Sequence, residues 1–198
     1  MAEITSKLVQ ELRQKTGIGM MNCKKALIES DGNIEKAIEI LRKKGAKVAA
    51  LRAGKEANEG LIHAYIHAGS KLGVLLEINC ETDFSAKTPA MLNFAKDICM
   101  QIAAANPLCV NPEEMDTTLV EKEKEILKEQ LKKEKKPEKL IDKIVENKIE
   151  KFYEQTCLLR QKYVKNDKMT VQDYLNDLVA KIGENIKIKR FTRYILGE

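Results

Sequence analysis

Residues 113–152 constrain the chain more than any other stretch. Lys and Glu crowd it, and apolar residues recur along it in two stripes. The first holds Leu119, Val120, Ile126, Leu127 and Leu131; the second holds Leu140, Ile141, Ile144, Val145, Ile149 and Phe152. Lys135-Lys136-Pro137 separates them, and proline interrupts a helix interior because it lacks the N–H and clashes with the preceding turn. Two helices with one narrow seam each bury it best against each other, which predicts an antiparallel coiled-coil hairpin. Its outer faces are solvated, so it projects from a body that the flanking segments must supply. Lys and Glu nearly cancel along it, which favours a plain solvated surface over an RNA-binding one.

The segment before the hairpin begins with a helical period. Leu8, Val9 and Leu12 share a face behind a Thr5 or Ser6 cap, and Gly17 ends that helix. A second helix runs through Met20, Cys23, Ala26 and Leu27, and a third from Asn33 through Ile34, Ala37, Ile38 and Leu41 to Gly45. Between the first two, Thr16-Gly17-Ile18-Gly19-Met20-Met21 puts two methionines beside a glycine turn. Methionines there serve either as core or as a soft docking surface. The domain is basic, with Lys24, Lys25, Arg42, Lys43, Lys44 and Lys47 in surplus over its acids. Residues 45–58 read as a linker, partly helical.

The period then becomes two. Ile62, Ala64 and Ile66 alternate with His63, Tyr65 and His67; after Ala68-Gly69-Ser70-Lys71, Val74, Leu76, Ile78 and Cys80 alternate with Leu75, Glu77 and Asn79. This predicts an antiparallel hairpin with its apolar face buried. Thr88-Pro89 opens a helix that turns Leu92, Ala95, Ile98, Cys99 and Ile102 to the sheet and ends at Asn106-Pro107. Beyond the charged stretch, 156–163 is a candidate strand. Thr170-Val171-Gln172-Asp173 starts a helix through Leu175, Leu178, Val179 and Ile182, which Gly183 closes. Ile186 to Leu196 forms a last strand. The fold class is α+β: a three-helix domain at 1–52, core at 53–112, helical hairpin at 113–152, and the rest of the core at 153–198.

Within this frame one short stretch is out of character. Asn79-Cys80-Glu81-Thr82-Asp83-Phe84-Ser85 places a large aromatic in a polar strand-to-helix connection, in a chain with four Phe and no Trp. Phe84 is either a plug under its own loop or an anchor for a partner. Nothing nearby carries covalent chemistry. There is no GxSxG, no phosphate-binding glycine loop, no local Cys-His pair and no paired-carboxylate motif, so neither catalytic residues nor a cofactor is expected. His63 and His67 sit four apart on a strand, where their Cβ atoms are too distant for a metal pair; they are a polar strand face. Five scattered cysteines without a close pair indicate reduced thiols rather than disulfides or zinc. No apolar run has the length of a membrane span, and Met1 to Lys7 lacks a signal-peptide core. A cytoplasmic protein is expected.

Three blocks carry a family resemblance. They are Leu8-Val9-x-x-Leu12-Arg13-x-x-Thr16-Gly17-x-Gly19-Met20-Met21-x-Cys23-Lys24-Lys25-Ala26-Leu27, then Glu77 to Lys87, then Ile182-Gly183-Glu184-Asn185-Ile186-Lys187-Ile188-Lys189-Arg190. In content and order they resemble translation elongation factor Ts, in a short form with a single core copy. The resemblance implies a ubiquitin-associated-like first domain and a dimerisation-type core bearing the coiled-coil insertion. It also implies guanine nucleotide exchange on elongation factor Tu, met in GDP-bound and nucleotide-free states. Thr82, Asp83, Phe84 and Ser85 match the segment that enters near the nucleotide site and disturbs Mg²⁺. Leu12, Met20, Met21 and Lys24 match the docking surface, and a homodimer stands in for the second core half of longer members. Neither membrane nor direct nucleic-acid binding is implied. The rival is a nucleic-acid adaptor using the basic first domain and the lysine-rich hairpin. Against it stands the lack of aromatics interleaved with the basic residues.

Overall fold

The computed structural model describes residues 4–134 and 136–198, apart from the Lys139 side chain; Lys135, in the predicted hairpin turn, lies outside the described residues. Helices α1 (Ser6–Thr16), α2 (Met20–Glu29) and α3 (Ile34–Arg52) come first. Thr5 Oγ1 accepts from the Leu8 N–H at 3.3 Å and Asn33 Oδ1 from the Lys36 N–H at 2.9 Å, so each cap satisfies an amide that the first helical turn leaves orphaned. Val9, Leu12, Ile18, Cys23, Ala26, Leu27, Ala37 and Leu41 form the common core. Helix α3 does not stop at Gly45. That glycine is a packing residue, since a Cβ there would lie 3.3 Å from the Ala180 Cβ of α8 (Val171–Ile182). The predicted linker is therefore largely helix, ending at Arg52.

Strands β1 (Glu59–Ile66), β2 (Leu72–Cys80) and β5 (Lys187–Ile195) form a sheet in the order β1-β2-β5. The His67 N–H donates to the Leu72 carbonyl at 2.9 Å to close the β1–β2 hairpin, and the Leu196 N–H donates to the Lys71 carbonyl at 2.9 Å. In β2 the predicted set, Val74, Leu76, Ile78 and Cys80, is buried. In β1 the expectation fails: Ile62 and Ile66 are 67% and 64% exposed. A register change of one residue turns a strand's whole alternating set over, and alternation alone does not say which face is inward. What packs on the sheet decides it, and Cys99 of α5 (Pro89–Ala105) comes within 3.9 Å of the His63 carbonyl. Any Cβ on Gly60 would overlap the Ile78 carbonyl oxygen, so close approach there requires glycine.

Asp83–Ala86 forms a single helical turn, α4, and Pro89–Ala105 forms α5. The buried side of α5 is Met91, Phe94, Ala95, Ile98, Cys99 and Ile102, while Leu92, expected inward, is exposed. Two helices of the charged stretch, α6 (Thr117–Lys133) and α7 (Glu138–Thr156), pack along a seam of Val120, Leu127, Leu131, Ile141, Val145 and Ile149. Leu119, Ile126 and Leu140 lie outside the seam and are exposed. At the root, Gln101 is fully buried; its amide donates to Gln161 Oε1 at 3.0 Å and the Lys162 carbonyl at 3.1 Å, and its oxygen accepts from the Val164 N–H at 2.8 Å. The candidate strand at 156–163 is instead a short 3₁₀ turn at Leu158–Arg160 and a two-residue strand β3 (Lys162–Tyr163), paired antiparallel with β4 (Asn166–Thr170). Leu158 and Leu159 are buried by the turn rather than by strand alternation. All five cysteines are buried free thiols.

The chain divides into two compact units. One gathers the residues up to Ile62, Glu77–Ala95 and Asp173–Lys187; the other gathers His63–Leu76, Lys96–Gln172 and Ile188–Glu198. The three N-terminal helices, α4 and α8 from Asp173 on thus belong to one unit, and the helical hairpin to the other. No helix among the described residues is long and apolar enough to cross a membrane.

Candidate functional site

Phe84 does not fold under its loop. It is 80% exposed, more than any other exposed large apolar side chain in the described chain. The turn that carries it is closed from below. Thr82 is the N-cap, its Oγ1 accepting from the Ser85 N–H at 3.4 Å, and Ser85 and Ala86 are buried. The buried Cys80 thiol donates to the Thr82 carbonyl at 3.0 Å. Burial raises the Cys80 pKa, as does the nearby Glu184 charge, which keeps this thiol protonated. With its neighbours at 85 and 86 fixed inward, helical geometry turns residue 84 to solvent.

Asp83 stands beside it, half-buried, with Oδ2 2.7 Å from Lys87 Nζ. The Lys87 hydrogen bond holds the Asp83 carboxyl below its usual pKa, so it is an anion and an acceptor at neutral pH. From across the unit, Glu184 reaches Thr82 twice: Oε2 accepts from the backbone N–H at 3.0 Å and Oε1 from the hydroxyl at 2.7 Å. Burial pushes the Glu184 pKa up, but bonds from Ser85 and Thr82 outweigh it and leave the group ionised, with its pKa lowered. Glu81 accepts from the Asn185 N–H at 2.6 Å and pairs with Arg52 Nη1 at 3.4 Å. These anchoring residues are not found by local motif or periodicity; only the third family block contains Glu184 and Asn185, and it assigns them no role.

A second apolar surface lies on the three-helix domain. Met20 and Met21, at the start of α2 behind Gly19, are 51% and 66% exposed, so they are surface and not core. Lys24 is exposed one turn later, where helical spacing makes it their neighbour. Leu12 is the exception among the predicted docking residues. It is fully buried at the centre of the domain and offers no surface of its own; its apolar period on α1 turns it inward.

Neither surface holds a set of groups suited to bond-making. Among the described residues no group of three or more His, Cys, Asp or Glu could hold a metal. Both surfaces set exposed apolar side chains beside polar ones, an arrangement that suits contact with another macromolecule.

The family model described as elongation factor TS matches residues 1–198. This chain belongs to the elongation factor Ts family. It is 56% identical over 195 residues to elongation factor Ts of Caldanaerobacter subterraneus subsp. tengcongensis, covering 98% of both chains. To elongation factor Ts of Anaeromyxobacter sp. strain K it is 56% identical over 198 residues, all of this chain and 90% of that one. To elongation factor Ts of Desulfosudis oleivorans it is 52% identical over the full length of both. Elongation factor Ts is a protein-biosynthesis factor whose role is nucleotide exchange on elongation factor Tu, and a member is an exchange factor rather than a catalytic enzyme.

Proposed function

We propose that this protein releases GDP from elongation factor Tu by docking through Met20, Met21 and Lys24 and inserting Phe84 as a wedge beside the nucleotide site. The exposure of Phe84 on a turn fastened from below is the observation that carries this reading. A GTPase holds GDP with a phosphate-binding loop, a helix N-terminus and Mg²⁺. A wedge that favours the nucleotide-free shape lowers nucleotide affinity, and by linkage nucleotide lowers affinity for the wedge. Phe84 would fill an apolar gap that opens in the displaced shape. Asp83, held as an anion, would accept hydrogen bonds from the partner's displaced groups. Thr82 and Ser85 fix the turn, and disturbing Mg²⁺ removes the strongest counter-charge from the phosphates. We further read the first three helices as a ubiquitin-associated-like docking module, the helical hairpin as a coiled coil, and the site of action as the cytoplasm, where translation runs. Release of a fluorescent GDP from elongation factor Tu, followed with and without the protein, tests the proposal; an unchanged release rate would refute it.

The active form proposed is a homodimer. Ile66, Leu75, Tyr194 and Leu196, all within one unit, are exposed apolar side chains on or beside sheet strands. A second copy would remove them from water. Light scattering on the eluting protein checks this, and an active monomer would contradict it.

A further inference from the structure

Residues 81–82 and 184–185 hold each other by crossed bonds. Glu184 takes two bonds from Thr82, at 3.0 and 2.7 Å, and Glu81 takes one from the Asn185 N–H at 2.6 Å. The partners of the Thr82 bonds are 102 residues apart in sequence. Asn185 Nδ2 donates to the Lys55 carbonyl at 2.6 Å, and Arg52 reaches Glu81, so the clasp continues to the end of α3. The turn does not need Glu184 to form. Thr82 already caps it, Cys80 already binds the Thr82 carbonyl, and Ser85 and Ala86 already lie in the core. One cap and one buried edge leave a single turn free to rock about the strand end. Two charge-assisted bonds, one from the backbone N–H and one from the hydroxyl of Thr82, remove that freedom.

We infer that Glu184 is a positioning residue for nucleotide exchange: acting through Thr82, it fixes the direction in which α4 presents Phe84. This rests on the exchange reading above. A wedge works only if its aim is set before contact, because any ordering left to the encounter is subtracted from the work done on the partner. Glu184 therefore acts on the release step more than on docking, which Met20, Met21 and Lys24 would supply.

The test is GDP release from elongation factor Tu at increasing concentrations of the full-length protein, separating the maximal rate from the half-saturating concentration. Glu184→Ala is expected to lower the maximal rate about tenfold, the size of losing a hydrogen bond to a charged group, with the half-saturating concentration near wild type. Glu184→Gln keeps one acceptor oxygen and should recover much of the rate. In Thr82→Val combined with Glu184→Ala the losses should be less than additive, since both variants remove the hydroxyl–carboxylate bond, while Glu184→Ala alone removes the backbone bond and Thr82→Val alone removes the cap on Ser85. A Glu184→Ala rate equal to wild type overturns the inference, as do additive losses or a fall explained by a lower folded fraction. Should Glu184→Ala fold poorly, the graded response of Glu184→Gln and the cycle built on it decide the matter. Thr82 amide hydrogen exchange in the free protein should speed up when Glu184 is replaced, whatever the partner does. A wild-type protein that releases no GDP would strike at the exchange reading, whereas an active wild type with an unaffected Glu184→Ala strikes only at the clasp.

Discussion

The Met20–Met21 corner and the Phe84 turn are built in opposite ways. The Met20–Met21 corner stands on an apolar core drawn from one contiguous stretch, Val9 to Leu41. The Phe84 turn, seated by its buried Ser85 and Ala86, is held in direction by polar bonds whose ends are 102 residues apart. An apolar core is forgiving in direction, because burial is non-directional and flexible methionines adapt to what they meet. A hydrogen-bonded clasp is exacting in direction and contributes modestly to stability. The difference suits the two tasks proposed above, affinity for the corner and aim for the turn.

The comparison breaks most visibly at Leu12. Leu12→Ala empties the centre of the three-helix core, where it is fully buried, and should destabilise that domain by about 2–5 kcal/mol. Chemical denaturation followed by circular dichroism measures the loss. If the corner is built on this core, docking weakens while the release rate at saturation survives. Phe84→Ala should do the reverse. The side chain has few contacts to lose, so stability should hold, yet release of GDP should slow by about an order of magnitude or more, since losing an interface anchor costs about 2 kcal/mol or above. Stopped-flow release at saturating protein distinguishes the two, and wild-type kinetics for Phe84→Ala would sink the wedge.

The contrast also marks what could be read from the chain. The three helices, their caps and the Val120-to-Ile149 seam repeat at helical spacing, so each could be located from its own residues. Direction of burial was less legible. The alternation Ile62, Ala64, Ile66 marks a strand but not which side faces in, and that depends on what packs over the sheet. Leu92 erred for a related reason, since a helix rich in apolar residues admits more than one inward face. The odd placement of Phe84 was visible, but its support was not. Glu81, Glu184 and Asn185 are polar residues whose meaning lies in a pairing across the chain, and no local period records such a pairing.

Smaller effects sharpen the division of labour. Replacing Met20 and Met21 together by Ala should leave the melting temperature unchanged, because both are surface side chains. The half-saturating concentration for exchange should rise, by roughly tenfold or less, with the maximal rate intact. A fall in maximal rate instead would mean that the corner, too, takes part in the release step.

Lys87→Ala should have the least effect, and its sign is informative. The Lys87–Asp83 pair is exposed, and such pairs add little to stability in water. Asp83, lowered chiefly by the Lys87 bond, contributes stability above its unfolded pKa and loses it as pH falls through the folded value. Lys87, raised chiefly by the Asp83 bond, contributes below its unfolded pKa and loses it as pH rises through the folded value. Between those limits the contribution is fully present but small, so melting curves of Lys87→Ala and wild type should nearly coincide at neutral pH. Exchange should not slow either: Lys87 occupies only Oδ2 of Asp83, which leaves the carboxylate acceptor sites for the bonds the proposed mechanism asks of it, with or without Lys87. A clear drop in the maximal rate would show that the ion pair itself aims the turn, alongside Glu184.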